Sequence, residues 1–423
     1  MEVEHVCATT FKTGEKMKNY ADELIRYTQE RIRSLLFLYE HRTTPAYFTR
    51  KSPLNFENIT LLILNLIKKA IKVELMNFFY HHGDVRKTPS RQAFTQGREK
   101  VSYLAFKDFF DKSCELAEKG EGGKLYKGYR LFASDGTSFV VGQLKRLWEY
   151  FGERTSVAGK AMCRIGAIVD VLNGCIVRAT VSPFCVGERA LAIEQVEQLK
   201  MVPNALFLFD RGYWSPELVG SIIKNGQKFL MRLASNTGKT IVKDENGNAY
   251  ELRRYSFILP HGEVETLLTN LPLQEVSDDE LACLYTKRWG IETKYLELKD
   301  RLQIDELSGG SVNIVLQDIY ATLYISNLAA FICFEADEII EQEGSGKKGK
   351  YGRKAKRTLC ISALRTRFVD LCLLDDSILR SEALQRFYED LSSDVTYVRK
   401  SKSRPRVKKR FLSSRNFPVK PVL

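Results

Sequence analysis

The stretch NALFLFDRGYWSPELVGSIIKNG, residues 204–226, indicates the fold class. Its uninterrupted apolar run, residues 205–209, is typical of a strand that is buried on both faces of a sheet. Ser215 followed by Pro216 is a typical helix start, and Gly226 is a typical helix end. A buried strand that leads directly into a helix predicts a sheet covered by helices.

The segments on either side extend this pattern from residue 128 to residue 235. YRLFASDGTSFVV, residues 129–141, reads as the first strand, and KFLMRLA, residues 228–234, reads as the last. Two strands between them are joined at Asn173-Gly174, which is the strongest short hairpin signal. The order β-β-β-α-β-α-β predicts an α/β fold with a mixed sheet and flanking helices.

Changes in composition and periodicity divide the chain into five predicted parts. The glycine-rich segment GEGGK, residues 120–124, reads as a linker. The parts are a helical N-terminal DNA-binding region (1–122), the first part of the sheet-containing core (123–237), a small β-rich insertion (238–271), the second part of the core (272–343), and a basic C-terminal helical region with a tail (344–423).

The charge of the chain is concentrated near its C-terminal end. The 423 residues carry a formal net charge of +13. Residues 347–357 hold seven Lys or Arg and no acid, residues 399–423 hold ten and no acid, and the remainder is therefore 13 − 17 = −4. Such runs favour a polyanionic partner, with nucleic acid foremost, although solvated segments kept for solubility show the same composition.

Cysteine usage and hydropathy favour a cytoplasmic protein. The nine cysteines are scattered and form no C-x-x-C pair, which argues against zinc and against a disulfide framework. The first residues, MEVEHV, lack the apolar core of a signal peptide. The apolar stretch at 319–334 is shorter than a membrane span and predicts a buried helix. We expect no membrane partner.

The N-terminal region contains a candidate DNA-reading segment. TPSRQAFTQGREKVSYLAFKDFFDKSCEL, which begins at Thr88, reads as a capped short helix, a turn and a second helix. The exposed face of the short helix is expected to carry four polar side chains: Arg91, Gln92, Gln96 and Arg98. This pattern is compatible with a helix-turn-helix DNA reader and equally with a plain helical bundle.

A polar stripe runs along the predicted helix LYTKRWGIETKYLELK, residues 284–299. On an ideal helix, where each residue advances about 100°, four side chains fall within roughly 60°: Tyr285, Arg288, Glu292 and Lys299. A neighbouring apolar stripe that includes Ile291 and Tyr295 would bury the helix against the sheet. Arg288 and Glu292 are four residues apart, and the alternative to a functional role is an ordinary ion pair on the surface of the helix.

Three carboxylates are candidates for one metal site. Asp135 and Asp210 are expected at strand ends, where α/β sheets form ligand sites, and Glu292 at the rim beside them. Oxygen ligands without histidine or cysteine favour Mg²⁺ or Mn²⁺. Two such ions about 3.5–4 Å apart would serve phosphodiester chemistry, with Arg288 and Lys299 holding phosphates. Taken singly, Asp135 is more typical of a turn residue and Asp210 of a turn or capping residue, and only their joint occurrence with Glu292 and the strand order favours a site.

Together these motifs resemble the IS4-type DDE transposases, a branch of the RNase H-like polynucleotidyl transferases. Tyr285, Arg288, Glu292 and Lys299 match the signature Y-x2-R-x3-E-x6-K, and SDGTSF and FDRGYWS resemble the two aspartate blocks. The resemblance covers most of residues 85–335. It implies that Asp135, Asp210 and Glu292 are catalytic metal ligands, and that Tyr285, Arg288 and Lys299 contact DNA phosphates. It also implies a homodimer on DNA.

The resemblance implies a DNA transposase that binds the terminal inverted repeats of an insertion sequence and acts in a bacterial cytoplasm at the nucleoid. We expect water to cut the strand and free a 3′-hydroxyl, which then attacks target DNA. An RNase H-like nuclease that hydrolyses without joining, and a catalytically retired DNA-binding relative, remain alternatives. A haloacid-type phosphatase is disfavoured because that chemistry needs a nucleophilic aspartate two residues before a second one, and Ala133 stands at that position.

Overall fold

The computed structural model describes most of the chain. The described residues are 19–66, 68–83, 88–152, 159–234, 241–243, 247, 249–259, 262–344 and 351–398. The described residues form two compact units, one within 114–139 and 151–297 and the other within 19–113, 140–150 and 298–398. The predicted basic tail, residues 399–423, lies outside the described residues.

The first unit contains a seven-stranded mixed sheet in the order β3-β2-β1-β4-β5-β9-β8. The strands are β1 (Arg130–Gly142), β2 (Ala161–Asp170), β3 (Cys175–Pro183), β4 (Ala205–Phe209), β5 (Lys228–Arg232), β8 (Arg253–Ile258) and β9 (Val264–Thr269). β4 runs parallel to both β1 and β5, whereas β2 with β3, β5 with β9, and β8 with β9 are antiparallel. Every residue of β4 is buried, as its unbroken apolar run predicted.

The predicted α/β class, with a mixed sheet and flanking helices, is confirmed. β2 and β3 are joined through the predicted turn, where Gly174 has a φ of 69° that a side chain would disfavour. β8 and β9 continue the main sheet beside β5. The remaining strands of the 238–271 segment, β6 (Ile241–Lys243) and β7 (Ala249–Glu251), pair only with each other among the described residues.

Two features of the first strand region differ from the sequence prediction. β1 continues through Asp135 and Gly136 as far as Gly142, so Asp135 lies within the strand and not at its end. Pairing of β1 with β4 nevertheless ends at Ala133, two residues before it. A short helix that the sequence did not predict, α7 (Lys145–Phe151), follows β1.

α7 belongs almost wholly to the second unit, whereas four helices lie in the first unit: α8 (Glu188–Gln198), α9 (Pro216–Lys224), α10 (Asp278–Thr286) and α11 (Trp289–Leu296). α9 begins as predicted, because the Ser215 hydroxyl accepts a hydrogen bond of 3.1 Å from the N–H of Leu218.

The single regular helix predicted over residues 284–299 is wrong, because the segment changes its winding twice. Between α10 and α11, the N–H of Arg288 donates to the carbonyl of Tyr285, three residues back, as in a 3₁₀ turn. After α11 a π-helical turn, Glu297–Arg301, follows. Each change alters the angle per residue, so the even 100° steps that placed Lys299 on the polar stripe do not hold.

The second unit is mainly helical. Its helices are α1 (Tyr20–Arg33), α2 (Leu35–His41), α3 (Phe56–Leu64), α4 (Ile71–His82), α5 (Arg91–Arg98), α6 (Tyr103–Lys119, whose last turns belong to the first unit), α12 (Val312–Gly344), α13 (Arg357–Leu373) and α14 (Ser377–Ser393). Residues 312–342 of α12 are long and apolar enough to cross a membrane, but 94% of the most apolar window is buried inside the protein. The prediction of a buried helix here is confirmed.

The prediction that Arg98 lies on the exposed face of α5 is wrong. Its side chain is 1% exposed and forms a 2.9 Å ion pair with Asp318 of α12. Its Nε also donates to Gln317 at 3.0 Å. The position falls on the buried side of the helix with Phe94, and the ion pair compensates the buried charge. Arg91, Gln92 and Gln96 are exposed as predicted.

Candidate active site

The two candidate aspartates occupy equivalent positions on neighbouring strands. The parallel register of β1 and β4 runs from Arg130↔Ala205 to Ala133↔Leu208. Asp135 lies two residues beyond Ala133, and Asp210 lies two residues beyond Leu208. Both aspartates therefore follow the last paired residues of β1 and β4 at the same end of this parallel ladder, although β1 itself continues to Gly142.

Asp135 lies in an environment that disfavours a negative charge. Burial raises the pKa of its carboxyl to about 6. The N–H of Gly136, which donates to Oδ1 at 2.9 Å, and the guanidinium of Arg288 lower this pKa, while Glu188 and Glu292 raise it. Asp135 is therefore a carboxylate whose charged form needs further positive charge nearby.

Asp210 ends the buried run of β4 and precedes a single 3₁₀ turn, Arg211–Tyr213. Its Oδ1 accepts a hydrogen bond of 3.4 Å from the hydroxyl of Tyr285 in α10. Burial raises the pKa of the Tyr285 hydroxyl, so this group remains a proton donor at neutral pH. Tyr285 thus links α10 to the edge of the sheet.

Arg288 and Glu292 form an ion pair of 2.9 Å, with 7% of the arginine and 34% of the glutamate side chain exposed. Desolvation lowers the pKa of Arg288, but the attraction of Tyr285, Glu292 and Asp210 outweighs it, and the pKa is raised. The guanidinium lies 5.8 Å from the ring centroid of Tyr285. Its buried Nε has no hydrogen-bond partner among the described residues, so one donor is left for a ligand.

Two close approaches place α11 against the sheet. The Tyr295 hydroxyl donates a hydrogen bond of 2.6 Å to the main-chain oxygen of Asp135. Gly290 lies so near the β2–β3 turn that a Cβ there would come within 2.8 Å of the Cβ of Val171. The sequence predicted Tyr295 on the buried face, but gave no sign that its hydroxyl contacts this strand.

Two further carboxylates near the site were not predicted. Glu188, at the start of α8, packs closely against Gly136: a Cβ added to this glycine would lie only 2.5 Å from the Cγ atom of Glu188. Glu265 on β9 is buried, and burial together with Asp210 raises the pKa of its carboxyl against the lowering effect of Arg232. In the sequence, Glu188 resembles any acidic residue in the first turn of a helix. Glu265 could have been recognised as a residue near the site only from a sheet order that places β9 beside β5.

The described carboxylates are not arranged as a complete set of ligands for one metal ion. Among the described residues, no group of three or more His, Cys, Asp or Glu side chains could hold a metal ion. Their chemistry nevertheless suits a divalent cation, because Glu188 and Glu292 both raise the pKa of Asp135 and a cation would relieve that repulsion. Lys299 lies in the π-helical turn that belongs to the second unit.

The central segment of the chain is similar to known transposase sequences. Residues 126–328 match the model of a family described as "Transposase DDE domain". The chain is 27% identical over 132 residues to a protein of Synechocystis sp. described as a transposase for insertion sequence element IS4SA, over 28% of this chain and 39% of that protein. The chain thus matches well under half of the length of this relative.

The structure is similar to that of piggyBac transposase in a synaptic complex with hairpin DNA, with a TM-score of 0.49 and 10% identity over 88% of this chain and 84% of that one.

Both aspartates, Asp135 and Asp210, lie within the segment that matches the transposase DDE domain, residues 126–328. The similarity to the IS4SA transposase agrees with the resemblance to the IS4-type DDE transposases that the motifs predicted. Transposases with this domain in general use divalent metal ions.

Proposed function

We propose that this protein cuts DNA at the ends of an insertion sequence and joins those ends to target DNA. The observation that carries the proposal is the pair of aspartates, Asp135 and Asp210, at equivalent positions of adjacent parallel strands, with the Arg288–Glu292 pair on the helices beside them. A transposase is expected to bind its terminal inverted repeats as a homodimer, in the bacterial cytoplasm at the nucleoid.

We infer that Asp135, Asp210 and Glu292 hold Mg²⁺ or Mn²⁺, as two ions. When bound, such ions activate the attacking oxygen and stabilise the leaving oxygen of a phosphodiester. The pKa of Asp135, which is raised mainly by burial and further by Glu188 and Glu292, supports this assignment, because a bound cation would stabilise the charged form of this carboxyl. Arg288 makes one hydrogen bond to Glu292 and can turn its remaining donors to a phosphate.

Tyr285, Arg288 and Lys299 are proposed to contact phosphates near the reacting end. Tyr285 remains protonated and can donate to a phosphate oxygen instead of to Asp210. Arg288 is a fixed cation at neutral pH. Lys299 is partly exposed in its π-helical turn, and its role rests on its match to the signature alone.

The test uses the DNA that flanks the gene as candidate ends. With Mg²⁺ or Mn²⁺, the wild-type protein should cleave these ends, whereas Asp135→Asn, Asp210→Asn and Glu292→Gln should lose cleavage by at least about 100-fold and keep DNA binding. Asp279→Asn, an exposed acid in the first turn of α10, is the control and should stay active. Full cleavage by any of the three variants would remove that residue from the catalytic set.

Two alternative functions are separated by a second assay. A pre-cleaved donor end with a free 3′-hydroxyl is incubated with target DNA and the metal ion. Joined products are expected of a transposase, cleavage without joining would favour an RNase H-like nuclease, and binding without either reaction would favour a retired DNA-binding relative.

A further inference from the structure

Helix α5 is buried along one side and exposes amide side chains along the other. Phe94, Gly97 and Arg98 are buried, and together they define the inner side of the helix. At about 100° per residue, the opposite direction is occupied by Gln92 and Gln96, which are four residues apart and both exposed. Two amides therefore lie one above the other at the centre of the outward face.

The inner side of α5 is held firmly against the rest of the second unit. The buried ion pair between Arg98 and Asp318 fixes the helix to α12. At its other end, the Ser90 hydroxyl caps the helix and accepts a hydrogen bond of 3.1 Å from the N–H of Ala93. A face that is held in this way loses little conformational freedom when it binds a partner.

The loop between α2 and α3, residues 42–54, is fixed to α5 and to the turn that follows it. At one end of this loop, the N–H of Thr43 donates to the carbonyl of Lys100 at 2.9 Å. At the other end, the Cδ1 atom of Leu54 lies 3.8 Å from the position that a Cβ on Gly97 would take. The Cα atom of Lys51, three residues before Leu54, is therefore within about 11 Å of that of Leu54.

Cations surround the outward face of α5. Residues 42–54 and 88–98 contain no acid, and the loop contributes three cations: Arg42, Arg50 and Lys51. The ammonium group of Lys72 in α4 donates to the carbonyl of Pro89 at 3.2 Å, next to the first turn of α5. Arg91, at the start of α5, is exposed. Within the described ranges, Arg50, Lys51 and Arg91 form no ion pair, so their charge is available to an anionic partner.

We propose that α5 and the 42–54 loop form a surface that reads duplex DNA, with Gln92 and Gln96 at base edges and the cations at phosphates. A glutamine amide can bond the edge of an adenine through two hydrogen bonds in the major groove, which is about 12 Å wide and admits one helix. Cations beside such a helix meet the phosphates that border the groove. The inference deepens the proposed function and rests on it, because DNA is taken as the partner.

The chemistry of the outward face favours duplex DNA over other polyanions. A membrane-binding helix carries apolar side chains at the centre of the binding face, whereas α5 carries two amides there. The amide of glutamine offers both donors and an acceptor, which match the N7 acceptor and the N6 donor of adenine. The major groove of double-stranded RNA is too deep and narrow for side chains to read.

The experiment first selects duplexes of about 20 base pairs that bind the full-length protein from a random-sequence pool, and then compares a selected with an unselected duplex over about 50–200 mM salt. The amide variant is Gln92→Ala with Gln96→Ala, and the cation variant is Arg50→Gln with Lys51→Gln. The control is Gln385→Ala with Arg386→Gln, which removes an exposed amide and an exposed cation from α14.

The two variants should lose binding in different ways. The amide variant should bind the selected duplex at least about ten-fold more weakly and the unselected duplex like the wild type, because base contacts carry specificity. Its unchanged binding of the unselected duplex also shows that it is folded. The cation variant should bind both duplexes more weakly by the same factor, and its salt slope should fall by about 0.9 for each lost phosphate contact. The control should bind both like the wild type.

Three results would overturn the proposal. The first is an amide variant that keeps the wild-type ratio between the two duplexes, whether or not its overall affinity changes. The second is a wild-type protein that enriches no sequence from the pool. The third is a loss of binding by the variants to single-stranded RNA or to phosphatidylserine vesicles only. A cation variant with an unchanged salt slope would refute the phosphate contacts of the 42–54 loop.

Cleavage of the candidate element ends distinguishes this inference from the proposed function. A protein that selects a sequence through Gln92 and Gln96, but cleaves no end with Mg²⁺ or Mn²⁺, would support the surface and refute the transposase activity. A protein that cleaves its ends, with an amide variant that still prefers the selected duplex, would refute the surface alone.

Discussion

The hydroxyl of Tyr295 donates a 2.6 Å hydrogen bond to the main-chain oxygen of Asp135, which fastens helix α11 to strand β1. Glu292 is on the same helix, and Asp135 is the residue whose pKa it raises. The geometry between these two carboxylates therefore depends on a contact made by a neighbouring phenol. Tyr295 acts on the candidate site by positioning and not by touching a reacting atom.

Removal of the Tyr295 hydroxyl should reduce DNA cleavage strongly and lower the stability of the protein only slightly. Tyr295→Phe keeps the ring and removes the hydroxyl that donates to the main-chain oxygen of Asp135 at 2.6 Å and to that of Ile165 at 3.5 Å, so we expect a decrease of about 0.5–1.5 kcal/mol in the free energy of unfolding by urea. End cleavage should fall while binding of DNA is unchanged. Tyr39→Phe, at an exposed tyrosine of α2, is the control and should change neither. Unaltered cleavage by Tyr295→Phe would show that the contact does not position Glu292.

The raised pKa of Asp135 predicts a specific pH dependence of stability. Its folded pKa of about 6 lies above the ordinary value of 3.8, so between these values the folded protein binds more protons than the unfolded chain. Stability therefore falls as pH rises through this window, by up to about 3 kcal/mol for a shift of this size. Asp135→Asn cannot titrate and should lack this part of the dependence.

Urea unfolding of the wild type and Asp135→Asn in EDTA, at several pH values from about 4 to 7.5, measures the difference. The variant should become more stable relative to the wild type as pH rises. Addition of Mg²⁺ should reduce that advantage, because the ion stabilises the charged carboxylate only in the wild type. A difference that is independent of pH would contradict the raised pKa.

Gly290 and Gly220 should respond in opposite directions to the same substitution. Alanine within a helix is normally favoured over glycine by up to about 1 kcal/mol. Gly220 in α9 has open space where a Cβ would lie, so Gly220→Ala should stabilise the protein. Gly290→Ala would meet Val171 at 2.8 Å and should destabilise it and reduce cleavage, because α11 must move away from the sheet. Urea unfolding of both variants tests the pair.

The sequence predicted the central strands of the sheet and the place of Asp210 at the end of β4, because both depend on local patterns, whereas Asp135 lies within β1 and not at its end. An apolar run as short as 205–209, bounded by turn and helix-start signals, is typical of a buried strand, and the polar residue that ends it is expected at an edge of the sheet. The winding of residues 284–301 could not be predicted, since 3₁₀ and π turns leave no distinct periodicity. The roles of Glu188 and Tyr295 depend on which strands become neighbours, which a linear pattern does not contain.

The buried ion pair of Arg98 and Asp318 is a further contact that the sequence could not predict. Its removal is the substitution from which we expect the largest loss of stability. Arg98 reads as a surface residue of a DNA-facing helix, but its partner is 220 residues away in the chain. Nearby charge and the hydroxyl of Ser308 lower the pKa of the Asp318 carboxyl against the effect of its burial. Arg98→Ala leaves that charge unpaired and should cost about 3–5 kcal/mol.

Arg91→Ala is the matched control, because it removes an exposed arginine from the same helix and should change stability by no more than about 0.5 kcal/mol. The combined variant Arg98→Met with Asp318→Leu removes both charges and should be more stable than Arg98→Ala alone, since no uncompensated charge remains. Urea unfolding measures all three. In the contrary outcome, the losses of unfolding free energy in the two single variants simply add in the combined variant. That result would mean that Arg98 stabilises the protein through packing and through its hydrogen bonds to Gln317 and Ser308, and not through its charge.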